Sequence, residues 1–262
     1  MIIIGERING MFKAVNAAIQ ERDKATIQDL ALKQVAEGAD MLDINVGTAT
    51  EDPVGTMRWL VQTVREVTEV PLSIDSPNLA TVKAGLEACS GPKMINSTTG
   101  QDEVLNNFLS LAKEYDASIV ALCMDEKGVP VDVDGRVEIA MRVIAKAMEF
   151  DVPIDKLYID PIVLPVKADQ TGPGKVLESI KQFTMLSEPA PHIVIGLSNL
   201  SQGAVERKLI NRVFLAMAIG MGLDTAILDP LDTELMDTLI TAEMLMNRTI
   251  YSDSFLKAYR QR

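Results

Sequence analysis

The sequence predicts an α/β fold, a (β/α)8 or TIM barrel, from three observations. Eight short β-branched apolar runs recur along the chain, an amphipathic stretch of helical period follows each, and 262 residues are filled by eight such units without a long linker. The runs lie at 2–4, 41–46, 72–74, 94–95, 118–124, 157–159, 192–197 and 225–228. Runs this short and this continuously apolar suit parallel strands buried on both faces. Helical spacing follows at 24–37, 53–68, 78–88, 103–115, 136–150, 174–186, 211–221 and 232–247, each with one apolar stripe to bury. Gly38 and Gly222 fall where a helix must stop and the chain turn back into a strand, positions that suit the left-handed C-cap. An open doubly wound sheet is the rival arrangement, but eight units of about thirty residues match the closed barrel better. One domain spanning 1–262 is the expectation.

Composition narrows the function. Thirty-seven acidic against 25 basic residues give a net charge of −12, a field that repels nucleic acid. Cys89 and Cys123 lie in different predicted elements with no metal-ligand spacing and read as buried thiols. The apolar start at 2–4 is cut short by Glu6 and Arg7, so neither a signal peptide nor a membrane span is expected and the chain is placed in the cytoplasm. The sole histidine, His192, opens a predicted strand at the end away from the strand tips and reads as structural, and no transition-metal site is expected. Methionines such as Met217, Met221, Met236, Met244 and Met246 read as core or subunit contacts on the last helices, and Trp59 as buried against the barrel or a subunit. The acidic stretch 125–134 lacks calcium-loop spacing and reads as an exposed loop.

Chemistry in such a barrel sits where strands end. The endings here carry Glu6 and Asn9, Asp43 and Asn45, Asp75, Asn96, Asp125, Asp160, Ser198 and Asn199, and Asp229. Any one of them could cap the following helix. Seven or eight converging on one mouth are harder to assign to capping, because each unpaired polar group there costs about 1 to 3 kcal/mol. A polar ligand explains them. With a single glycine in the loop after the seventh strand, phosphate is not its main handle. The adjacent N–H donors of an amino-pyrimidinone match a carboxylate in a two-pronged geometry, which Asp75 and Asp160 can supply, with Asn96 able both to donate and to accept.

The segments GERIN (5–9), LDINVG (42–47), SIDS (73–76), INST (95–98), YIDP (158–161) and GLSN (196–199) resemble those of the pterin-binding methyltransferases. That family includes the folate domain of cobalamin-dependent methionine synthase and, closer in pattern, methyltetrahydrofolate:corrinoid/iron–sulfur protein methyltransferases. The resemblance runs from Met1 to Arg262. It implies that methyltetrahydrofolate is the substrate, that Asp75, Asn96 and Asp160 hold the pterin edge, and that Asn199 sits near the methyl-bearing N5, with Gly196 and Ser198 beside it. Gln202 and Arg207 are candidate contacts to the folate or the incoming corrinoid. A cobamide carried by a corrinoid/iron–sulfur protein would accept the methyl group in the reductive acetyl-CoA pathway, with no cofactor tightly bound to this chain, and a homodimer is implied. Asn199 would donate a hydrogen bond to N5, with the proton arriving through a network that includes Asp75 and Asp160. Three other readings stay open: a dihydropteroate synthase-like pterin enzyme, a metal-dependent aldolase using the rim acids, and a non-catalytic folate-binding module.

Overall fold

The computed structural model describes residues 1–259 and arranges the eight strands in one closed, all-parallel barrel in sequence order, with the last hydrogen-bonded to the first. The strands are β1 Ile2–Asn9, β2 Met41–Asn45, β3 Leu72–Asp75, β4 Lys93–Thr99, β5 Ser118–Leu122, β6 Leu157–Asp160, β7 His192–Gly196 and β8 Thr225–Leu228. Around them run α1 Lys13–Gln20, α2 Lys24–Ala36, α3 Pro53–Arg65, α4 Leu79–Ala88, α5 Asp102–Glu114, α6 Val133–Glu149, α7 Gly172–Phe183, α8 Leu197–Leu200, α9 Arg207–Met221, α10 Thr233–Leu245 and α11 Phe255–Tyr259.

Strand parity builds the two cores. Residues of one parity, among them Leu42, Ile44, Ile74, Ile95, Ile119, Ile159 and Ile195, are fully buried against the helices. Those of the other parity fill the barrel floor with a second cluster: Ile4, Met41, Met94, Val120, Tyr158 and Val194. Two residues further along each of several strands, the same inward parity turns polar: Ile4 leads to Glu6, Met41 to Asp43, Met94 to Asn96 and Tyr158 to Asp160. An oily floor therefore carries a polar mouth.

The predicted turns form as expected at Gly38 and Gly222, whose φ of +96° and +113° an L side chain rarely adopts. Asp23, Asp52, Asn78, Asp132 and Asp232 cap their helices by accepting from a backbone N–H. Asp132 thus has a structural job inside the acidic stretch, and Asp125 there pairs with Arg142 at 3.2 Å. Both cysteines are buried and free. His192 lies at the barrel floor, stacked on Tyr158 with ring centroids 4.6 Å apart and its Nδ1 2.7 Å from Asp224. Trp59 is half-buried beneath the Arg22 guanidinium.

Two strands are longer than the apolar runs. β1 continues through Glu6–Asn9 and β4 through Asn96–Thr99, and each contains a register irregularity, between Gly5 and Ile8 and between Asn96 and Thr98. Asn9 of β1 and Asn96, Thr98 and Thr99 of β4 still find ladder partners, so hydropathy alone underestimates both strands. The irregularities re-aim side chains at the rim. α1 and α8 lack a capping side chain, which removes the usual start signal from the sequence.

Candidate active site

At the C-terminal mouth of the barrel lies a cavity of about 200 Å³, lined by residues from all eight strands and from α8. Glu6, Asp43, Asp75, Asn96, Asp160, Gly196, Ser198 and Asn199 all reach it, with Asn9, Leu122 and Ile227. A volume below the roughly 300 Å³ at which pockets begin to enclose drug-sized ligands suits one bicyclic head-group, with the rest of its molecule outside. Larger recesses lie elsewhere on the surface, but the carboxyls that burial raises most, Glu6, Asp43, Asp75 and Asp160, all face this cavity, and the chemistry decides the assignment.

β2, β3 and β4 contribute a connected set. Asp43 Oδ1 accepts from Ser73 Oγ at 2.7 Å and from Asn96 Nδ2 at 3.0 Å. Asn45 Nδ2 donates to Asp75 Oδ2, and Asn45 Oδ1 accepts from Gly47 N. Full burial first, and the neighbouring Asp75 second, push Asp43 well above the usual carboxyl range. Asp75 is also raised by burial, against the lowering effect of its hydrogen bonds from Asn45 and Asp43.

Across the mouth, burial lifts Asp160 to about 7, against the lowering effects of Ile162 N, which donates to Asp160 Oδ1 at 2.7 Å, and of the Arg136 charge. Ile162 holds φ +64°, an unusual conformation for a β-branched residue, and so aims its N–H at the carboxylate. Arg136 is itself buried, with Nε and Nη1 unpartnered. Glu6 is likewise lifted to about 7 by burial first, although Ser198 Oγ donates to its Oε1 at 2.7 Å. Two carboxyls poised near neutrality therefore face one cavity.

Ten of the residues singled out from the sequence meet in this network or its wall: Asp75, Asn96, Asp160, Gly196, Ser198 and Asn199 and, without an assigned role there, Glu6, Asn9, Asp43 and Asn45. Gln202 and Arg207 do not line the cavity. Gln202 is exposed, and the Arg207 guanidinium braces the α8 turn, with Nε donating to Ser201 Oγ and Nη2 to Ser198 O, both at 3.2 Å. Asp229 pairs with Arg7 at 3.3 Å on the rim between β1 and β8. Glu6, like Asn9, Asp43, Asn45 and Asp229, has no task assigned from the sequence; its inward parity, two and four residues beyond Ile4 and Ile2, is the signal that could have found it. Among the described residues, no three His, Cys, Asp or Glu side chains are placed to hold a metal ion, and no helix is long and apolar enough to cross a membrane.

These features define a (β/α)8-barrel enzyme with an acceptor-rich mouth. Residues 8–229 match the family described as pterin binding enzyme, and the chain belongs to that family. A methylcorrinoid:tetrahydrofolate methyltransferase of Eubacterium limosum is 32% identical over 263 aligned positions, covering 100% of this chain and 97% of the relative. The methionine synthase of Mycobacterium tuberculosis is 30% identical over 87% of this chain but only 20% of its own length. Solved dihydropteroate synthases share the barrel: that of Xanthomonas albilineans with 7,8-dihydropteroate has a TM-score of 0.68 at 18% identity, over 94% of this chain and 92% of that one. That of Coxiella burnetii with pteroic acid has 0.72 at 13%, over 95% and 94%. Fold, family and full-length kinship make the chain a methyltransferase of the pterin-binding barrels.

Proposed function

We propose that this enzyme moves a methyl group between N5 of tetrahydrofolate and the cobalt of a corrinoid held by a separate protein. The observation that carries the reading is the cavity mouth, where Asp75, Asn96 and Asp160 stand as hydrogen-bond acceptors around a space for one bicyclic ring. The motif resemblance supports a corrinoid/iron–sulfur protein of the acetyl-CoA pathway as carrier, and a homodimeric enzyme. The full-length relative is named for transfer from methylcorrinoid to tetrahydrofolate. Microscopic reversibility lets one site serve both directions, with the supply of methyl donor deciding between them.

In the folate-to-cobalt direction the cobalt–carbon bond forms as the carbon–N5 bond breaks, and the electron pair left on N5 must meet a proton or a strong donor. Asn199 lines the cavity from the first turn after β7 and supplies an amide N–H. Glu6 and Asp160, near 7, hold a proton for N5 in their acid forms and can accept it in the reverse reaction in their base forms. Ser198 connects Glu6 to the backbone that carries Asn199. The chain thus binds the pterin, relays one proton and leaves the methyl face open to the carrier.

The test mixes the purified protein with methyltetrahydrofolate and free cob(I)alamin and follows loss of the Co(I) absorbance, with methylcobalamin and tetrahydrofolate as the reverse arm. Methyl transfer in either direction is expected. Saturable folate binding without transfer in both arms would reduce the protein to a binding module. If the proton comes from Glu6 or Asp160, the forward rate falls as pH rises through about 7, and Glu6→Gln or Asp160→Asn removes that dependence.

A further inference from the structure

Asp43 lies beneath the pterin clamp, 2% exposed. Its Oδ1 accepts from both Ser73 Oγ and Asn96 Nδ2, and its carboxyl is hydrogen-bonded to that of Asp75. Two carboxyls share a hydrogen bond only with a proton between them. With Oδ1 taken up as an acceptor, the proton lies between the other Asp43 oxygen and the Asp75 carboxyl. This arrangement fixes the neighbouring amide: Asn96 gives Nδ2 to Asp43 and turns Oδ1 toward the cavity it lines. Asn45, held by Gly47 N, spends its own Nδ2 on Asp75. The β2–β3–β4 side of the mouth therefore turns the Asp75 carboxyl and the Asn96 oxygen to a ligand as acceptors.

We infer that Asp43 determines specificity for the oxidation state of the pterin: by locking Asn96 with its oxygen inward, it makes the site take rings that carry an N–H and reject fully oxidised rings. This rests on the pterin reading above. Folic acid, 7,8-dihydrofolate and tetrahydrofolate share the amino-pyrimidinone and the tail, but N8 carries hydrogen only in the last two and N5 only in the last. A free asparagine amide rotates to offer Nδ2 to a bare ring nitrogen. A locked one sets lone pair against lone pair. In a desolvated site that mismatch weakens binding by about 10- to 100-fold. Asp43 touches the ligand's partner and not the reacting atoms, so it is a positioning residue.

Equilibrium titration of the purified protein with the three folates tests this. The wild type is expected to bind dihydrofolate and tetrahydrofolate about 10- to 100-fold more tightly than folic acid. Asp43→Ala frees the Asn96 amide and should bring folic acid within about threefold of dihydrofolate. Asp43→Asn can donate to Asp75 and accept from Ser73 and Asn96 as the protonated acid does, so it should keep the wild-type ratio; simple loss of packing would not separate the two variants this way. Should Asp43→Ala fail to fold, Asp43→Ser is too short to hold Asn96 and is read identically. A wild-type ratio near one overturns the inference, as does a ratio unchanged by Asp43→Ala or lost equally in Asp43→Asn. Failure of the wild type to bind any of the three folates overturns the pterin reading instead.

Discussion

Burying a carboxyl at the mouth of the barrel has a thermodynamic cost, and Asp160 displays it. Its folded-state pKa of about 7 lies above the usual carboxyl value because burial disfavours the anion. The folded protein therefore holds a proton that the unfolded chain has already released between about pH 4 and pH 7. Over that window the Asp160 contribution to stability is lost as pH rises, by a few kcal/mol at most, and above pH 7 no further change accrues. Asp160→Asn lacks the titration. Relative to the wild type, it should gain stability steadily from pH 4 to 7 in urea unfolding and hold that gain above pH 7; a difference independent of pH would show that Asp160 is ionised in the folded protein. The same variant should bind folate more weakly, since an acceptor becomes partly a donor. In the sequence, YIDP marked Asp160 but gave no hint that Ile162, in a left-handed conformation, would return its N–H to the carboxylate. Local identity is visible in sequence, whereas a backbone conformation imposed by the surrounding loop is not.

At the scale of elements, α8 illustrates why the site is more precise than its sequence suggests. Four residues make a poor helix on their own, and GLSN reads as a loop. The turn is held from outside, by Arg207 on Ser198 O and Ser201 Oγ, and by Glu6 on Ser198 Oγ. Gly196 then lets Asn199 fold back over the end of β7: a Cβ there would stand 2.9 Å from Asn199 Nδ2. Gly196→Ala should displace that amide and lower the methyl-transfer rate, approaching the loss of about 10² to 10³ expected for Asn199→Ala, which removes one preorganised donor. Circular dichroism and thermal melting should change little in either variant, because both side chains stand at the rim and not in the core. An unchanged rate in Asn199→Ala would remove that residue from the chemistry. Gln202 and Arg207, which the motif resemblance offers as contacts to the folate or the corrinoid, lie outside the cavity, with Arg207 bracing α8. The barrel strands were legible because each buries both faces; the brace from β1 to α8 joins residues 192 positions apart and leaves no local pattern to read.

For the whole molecule, the open question is what covers α9. Leu209, Val213 and Met217 recur every four residues on its outer face and are 51, 52 and 49% exposed. They border an apolar groove whose other wall includes Val166, Leu177 and Leu200. The charged residues of the same helix are spent elsewhere, Lys208 on Asp232 and Arg212 on Glu234. The stripe is thus uncharged on a chain whose net charge is −12. Two such chains repel over most of their surfaces, and an uncharged apolar stripe is where they can meet at least electrostatic cost. If the chain pairs as the homodimer proposed above, this stripe is its expected two-fold interface. At a two-fold contact each substitution enters twice, so Val213→Glu with Met217→Glu places four carboxylates against apolar surface. Sedimentation of the wild type should give twice the chain mass of 28.6 kDa, and the double variant the single mass. Neither Val213 nor Met217 lines the cavity at the barrel mouth, so folate titration of the monomeric variant should match that of the wild type. A variant that stays dimeric would place the interface on another face.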